Sequence, residues 1–192
     1  MVAPGYYDAD GVLTDGEAWV GLATTTVVGT ATATITFTSP DDGSSTDWSQ
    51  FMDLVLICYA AGEAVGGSNA SYVQFNSDTA SNYPYQWLYG DGASVTASSG
   101  TTNLMYCDAA PGTASPQPWG VGIFTMFDIN SGKYKSTIAQ TAGDRDGAGM
   151  SAIYAATWKS QAAVNRIDIN CGFDYLPDST FSLFGVLPRM VA

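Results

Sequence analysis

The run FMDLVLICYA, residues 51–60, decides the fold class. Met52, Leu54, Leu56 and Cys58 share one side of an extended chain, and Phe51, Asp53, Val55 and Ile57 share the other, so the period is two and the run predicts a strand. Apolar residues on both sides predict a strand covered on two faces. GVGIFTMFDI, residues 120–129, repeats the pattern, with Val121, Ile123 and Phe127 opposed to Gly122, Phe124 and Asp128. Outward from these two lie WVGLATTTVV, TATITFTS, SYVQFN, YQWLYG, TNLMYC, YKSTIAQT, SAIYAATW, RIDINCGF and FSLFGVL, short β-rich runs divided by Gly, Pro, Asp, Asn and Ser clusters. Covered outer faces in so many of them point to loops, neighbours or another subunit lying on the sheets.

Only Asn130-Ser131-Gly132-Lys133, between runs ending at Ile129 and starting at Tyr134, reads as a tight hairpin. SPDDGSSTDWSQ, AGEAVGGSNA, DGASVTASSGTT, DAAPGTASPQPWG and GDRDGAGM are longer connections, as expected when consecutive strands lie in different sheets. The prediction is an all-β fold, an antiparallel β-sandwich of jelly-roll type over residues 18–192, preceded by an N-terminal arm, residues 1–17, that shows no alternation. The nearest approach to a helix is Ala155 to Val164, which has few large apolar residues and no cap beyond Ser151.

Composition agrees. Of 18 acids among 192 residues only two are Glu, Lys occurs three times, and helix surfaces are usually built from Glu, Lys, Arg and Gln. Ser, Thr, Gly and Asp dominate instead, which suits pleated surfaces and turns. Histidine is absent, which removes Ser-His-Asp and Cys-His nucleophiles, His-ligated zinc and imidazole general bases. The net charge of −12 opposes contact with phosphate backbones and anionic bilayers, so neither nucleic acid nor membrane is expected as a partner. The longest uncharged apolar stretch, Leu54 to Ala61, falls far short of the ~20 residues a spanning helix needs. MVAPGYYDAD has no basic n-region or apolar h-region, so no secretion signal is expected. Cys58, Cys107 and Cys171 each sit in an apolar run, which predicts reduced core thiols and synthesis in a reducing cytoplasm.

Several residue groups could carry chemistry. Asp8, Asp10, Asp15 and Glu17 match the later positions of a calcium loop, but Tyr6 stands at the first ligand position, Pro4-Gly5 precedes it, and a strand follows, so a polar turn is expected and no metal or cofactor. Tyr83, Tyr85 and Trp87 are the densest aromatic cluster and the candidate glycan contact, although aromatic rings in alternating runs usually face inward, which favours core and loop packing. Trp48 and Trp119 lie in Gly/Ser/Pro-rich loops and are candidate partner contacts, because an exposed Trp is costly until it docks. Two carboxylates can hydrolyse a glycoside without histidine, yet no pair stands out among sixteen Asp that turn propensity explains. No enzyme activity is expected.

The succession ITFTS (35–39), DLVLICYA (53–60), QFNSDTASNY (74–83), YGDG (89–92), YKS (134–136), TWKSQAAVNRIDI (157–169) and STFSLFGV (179–186) resembles small virion structural proteins of tailed bacteriophages. In that family the chain commonly closes on a G-S-x-F-x-L-Y-G-I type strand and carries an F-N-x-D-x-G-x-N-Y phrase. Here Asp178, Phe184 and Ala80 depart from those patterns. The resemblance spans residues 33 to 186 and implies a β-sandwich subunit on the particle exterior, made in the host cytoplasm. It implies either a capsid decoration (cement) protein or a tail-associated receptor- or carbohydrate-binding module. Absence of a coiled coil or fibre shaft favours head decoration, with major capsid protein and further copies of the chain, as a trimer, for partners. Tyr6, Tyr7, Val12 and Leu13 in the arm and Leu187 and Met190 in the tail are then the expected apolar contacts, with Tyr83, Tyr85 and Trp87 serving the tail alternative.

Overall fold

Alternation of large and small side chains carries through into the sheets of the computed structural model, which describes residues 19–63, 68–69, 71–107, 110–111, 118–143 and 149–187. In chain order the strands are β1 (Trp19–Thr26), β2 (Thr32–Thr38), β3 (Asp53–Ala60), β4 (Ser68–Asn69), β5 (Ser71–Phe75), β6 (Tyr83–Gly90), β7 (Val95–Thr102), β8 (Met105–Tyr106), β9 (Ala110–Pro111), β10 (Gly120–Met126), β11 (Lys135–Gly143), β12 (Met150–Trp158), β13 (Arg166–Tyr175) and β14 (Thr180–Val186). An eight-stranded sheet runs β1-β14-β3-β10-β11-β12-β6-β7, a four-stranded sheet runs β2-β13-β5-β8, and β4 pairs with β9. Every one of these pairings is antiparallel. The protein is an all-β sandwich, as the alternating runs predict, and its two main sheets are unequal in width.

One core fills the space between them. Leu54, Leu56 and Cys58 of β3, Phe124 and Met126 of β10 and Phe181 and Leu183 of β14 point inward from the wide sheet and meet Ile35, Phe37, Val73, Phe75, Ile167 and Ile169 from the narrow one, all buried. Each such side chain contributes about 1.5–3 kcal/mol by leaving water. Cys58 and Cys107 are buried and Cys171 half-buried, and burial pushes the Cys58 thiol up to about 12, in line with a packing role. Lys135 also points inward with no exposed surface, and its ammonium donates to the carbonyls of Ser131 and Lys133 at 2.6 Å each, so the buried charge tightens the β10–β11 connection.

Two of the sequence phrases that carry the family resemblance clasp one another. Asn76 and Ser77 adopt positive φ of 50° and 56°, turning the chain after β5. The Asn76 side chain then accepts the N–H groups of Asn165 and Arg166 at 3.0 and 3.1 Å and donates to the Ala163 carbonyl at 2.7 Å. Asp78 accepts from Trp158 Nε1 at 2.7 Å, from Asn82 Nδ2 at 2.9 Å and from the Ala80 N–H at 2.9 Å. The QFNSDTASNY phrase is therefore a structural buckle that fixes the course of the chain from Trp158 to Arg166.

The run SAIYAATW forms most of β12, as its pattern predicts, and the chain then crosses from Trp158 to Val164, whose N–H donates to the Ile129 carbonyl. Two local expectations change. Residues 95–102, read from sequence as part of a connection, form β7, an edge strand in which all but Thr102 are exposed. Its small polar side chains give no apolar face to read, and pairing with β6 alone defines it. The hairpin at Asn130 to Lys133 is wider than a tight turn: β10 ends at Met126 and β11 begins at Lys135, with Asp128 at positive φ in between.

Candidate functional site

The two outer faces of the sandwich differ in kind. On the narrow sheet, the central side chains facing away from the core are polar and already paired, beside Tyr72: Thr34 donates to Asn170 at 2.8 Å, Asn170 to Gln74 at 3.4 Å, and Thr36 to Asp168 at 2.7 Å. Arg166 adds an ion pair to Asp168 at 2.8 Å. Burial works against the charge of Asp168, yet hydrogen bonds from Arg166 and Thr36, with the Arg166 charge, hold its carboxyl below the usual carboxylate range. Such a ladder is built for water.

On the wide sheet the outward row is aliphatic. Register places Ser182, Ile57, Ile123, Gln140, Ile153, Leu88 and Ala97 side by side across β14, β3, β10, β11, β12, β6 and β7. Directly opposite residues in an antiparallel ladder share a face, so these seven form one line perpendicular to the strands. The next row carries Tyr59, Val121, Ala142, Ser151, Gly90 and Val95, and the row on the other side carries Thr125, Ile138, Ala155 and Gln86. Ile57, Tyr59, Leu88, Val121, Ile123, Ile138 and Ile153 are each 37–48% exposed, and Val95 is 74% exposed. Three shallow troughs of about 570, 550 and 430 Å³ run between these ridges; the first two share Leu88 and Ile153 in their walls, and the second and third share Gln86 and Ala155.

This face carries no charge of consequence. Among the described outward residues of the wide sheet the sole ionisable acid or base is Asp53, at one margin, buried and accepting the Asp128 N–H at 2.8 Å. A chain of net charge −12 thus keeps a broad strip free of ions. No family model, curated protein or solved structure matches this chain.

What the strip can do is desolvate. Half-exposed Ile, Val and Leu release water when a surface of similar shape covers them, at roughly 25 cal/mol per Å² of apolar area. Gln86 and flanking Ser and Thr can be satisfied at the margins of such a contact, and Gln140, in the central row, by a polar group set opposite it. No group of three His, Cys, Asp or Glu able to hold a metal occurs among the described residues. No helix of the described residues is long and apolar enough to cross a membrane.

Sequence-predicted contacts fall in different places. Trp119 is half-buried and stacks on Tyr59 with ring centroids 5.2 Å apart, at one end of the strip. Trp48, expected at the surface, is 2% exposed: Asp47 caps the short 3₁₀ turn at Trp48–Gln50 and tips the indole into the core. Leu187 is buried too, directly after β14. Tyr83 is fully buried, with its hydroxyl accepting the Phe75 N–H and donating to the Asp78 carbonyl. Tyr85 packs edge-on to Tyr106 and Trp87 tilts against Tyr89, on the inward side of β6, so these three rings do not form an exposed sugar platform. Tyr6, Tyr7, Asp8, Asp10, Val12, Leu13, Asp15, Glu17 and Met190 lie outside the described residues.

The sequence did not single out Ile123, Ile138, Ile153 and Leu88 as a surface. Its signal was the doubly apolar alternation of β3 and β10, which predicts a covered outer face without saying which strands are neighbours.

Proposed function

We propose that the chain is a non-enzymatic structural subunit of a tailed-phage particle, a capsid decoration protein on the head exterior that binds major capsid protein and its own copies at capsomer joints. The observation that carries this reading is the uncharged aliphatic strip on the outside of the wide sheet, set in an otherwise acidic domain. Such a combination suits a subunit that stays dispersed by self-repulsion until apolar surfaces meet. Many copies each adding a modest contact stabilise a shell by avidity, with no chemistry required. The family resemblance of the phrases between residues 33 and 186 supports the same reading, and the jelly-roll wiring belongs to this proposal.

Deleting the gene from a phage that encodes it tests the idea. Heads lacking the protein are expected to lose DNA at lower temperature or on osmotic shock, and tagged protein is expected on the head by electron microscopy. Tagged protein on the tail, with purified chain binding sugars on a glycan array, would establish the tail-associated module instead.

A further inference from the structure

We propose that the outer face of the wide sheet is the self-contact of this protein, and that it packs face to face on a second copy of the chain about a two-fold axis near Gln140. This rests on reading the face as a protein contact, and not on which particle the protein serves.

Charge selects the partner. A basic partner would be drawn to the acidic remainder of the molecule, and an acidic or basic surface laid on this strip would lose hydration with nothing opposite to replace it. A second copy offers the same uncharged rows. The contact also leaves the described carboxylates of both copies outside the seam, with buried Asp53 at its margin, which suits two subunits of −12.

Area agrees. The eight large apolar side chains on the strip leave on the order of 700 Å² uncovered, more than the 300–600 Å² of a typical monomer's largest patch and near the ~800 Å² per partner of a standard-size interface. Two sheets can stack aligned at a separation of about 10 Å with their ridges interdigitated. Ile123 and Ile153 flank Gln140 in the central row, so each aliphatic ridge can enter a trough of the opposite copy.

Gln140 fixes the axis. It is exposed at the middle of an aliphatic row, and its amide makes no hydrogen bond among the described residues. On a two-fold axis an amide meets its own copy, and a carboxamide pair is reciprocal: each NH₂ donates to the other carbonyl. A flat face meeting itself is isologous, so the pairing is two-fold in place of the trimer expected from sequence.

The full-length chain is expected to sediment as a dimer at micromolar concentration. Ile123→Asp and Ile153→Asp, each present twice in the contact, are expected to weaken dimerisation at least about a hundredfold while far-ultraviolet dichroism stays unchanged. Should either variant misfold, Gln140→Cys gives an independent readout: mild oxidation is expected to link it into a covalent dimer, with the wild type as control. A monomer at about 100 µM, a dimer indifferent to both aspartates, or a Gln140→Cys chain that stays uncoupled would overturn the proposal. So would coupling that appears only after residues 1–17 are deleted, which would put that segment on the face. Head fragility on gene deletion is independent of all these outcomes, so the self-contact and the decoration role fail separately.

Discussion

The ring of Phe51 lies directly over Gly185, so closely that a Cβ on Gly185 would stand 2.4 Å from Phe51 Cδ1. The glycine of the closing STFSLFGV phrase is thus required by contact and not by an unusual backbone angle. Gly185→Ala should cost about 2 kcal/mol through overpacking, read as a lowered urea midpoint with an unchanged slope. Combining it with Phe51→Leu, which clears the ring, should give a double variant less destabilised than the sum of its parts. Strict additivity would show that the two residues do not meet.

Asp78 is the centre of the buckle between the β5–β6 connection and the end of β12. Burial opposes its charge, but hydrogen bonds from Asn82, Trp158 and Ala80 prevail and hold its carboxyl below the ordinary value, as with Asp168 beside Arg166. A folded pKa below the unfolded one means that the unfolded chain takes up the proton first on acidification. The stabilisation is therefore complete above the unfolded value near 4 and is lost as pH falls through the depressed folded values. Asp78→Ala should remove about 2 kcal/mol at pH 7, because Trp158 Nε1 and Asn82 lose their acceptor, and should flatten the acid limb of the stability curve. Equal acid sensitivity in variant and wild type would assign the effect elsewhere.

Between pH 5.5 and 7.5 almost nothing in the chain titrates, since it has no imidazole. The melting temperature should accordingly be level across that interval. Salt should act weakly as well: with no charge in the proposed seam, raising NaCl screens only the repulsion between acidic bodies, so dimers should tighten slightly. Dissociation by moderate salt would point to an ionic contact.

Much of this architecture is legible in sequence because period-two alternation is local. Leu54, Leu56 and Cys58 face the core as their spacing predicts, and all eleven predicted runs contribute strands. β7 escaped because Val95 to Thr102 holds small polar residues whose pairing, not pattern, makes them a strand. The strip escaped for a different reason. Ile57, Ile123, Ile153 and Leu88 are far apart in the chain, and only the strand order β3-β10-β11-β12-β6 makes them neighbours. Trp48 shows the limit of composition: a loop rich in Ser and Asp suggests exposure, while one Asp47 cap folds the indole inward.

β7 has one further implication, for how the protein behaves outside its particle. Among the described residues its free side is an open ladder of eight residues with no Lys, Pro or bulge to discourage an extended stranger from zipping on. Self-repulsion is then the guard of that edge, and it vanishes near the sequence pI of 4.1. There the low carboxyl pKa values of Asp78 and Asp168 still favour the folded sandwich, so native subunits should begin to join edge to edge before they unfold. Turbidity with a gain in intermolecular β-signal near pH 4, abolished by a lysine at Ala97, is the expected sign, and purification is best kept well above that pH.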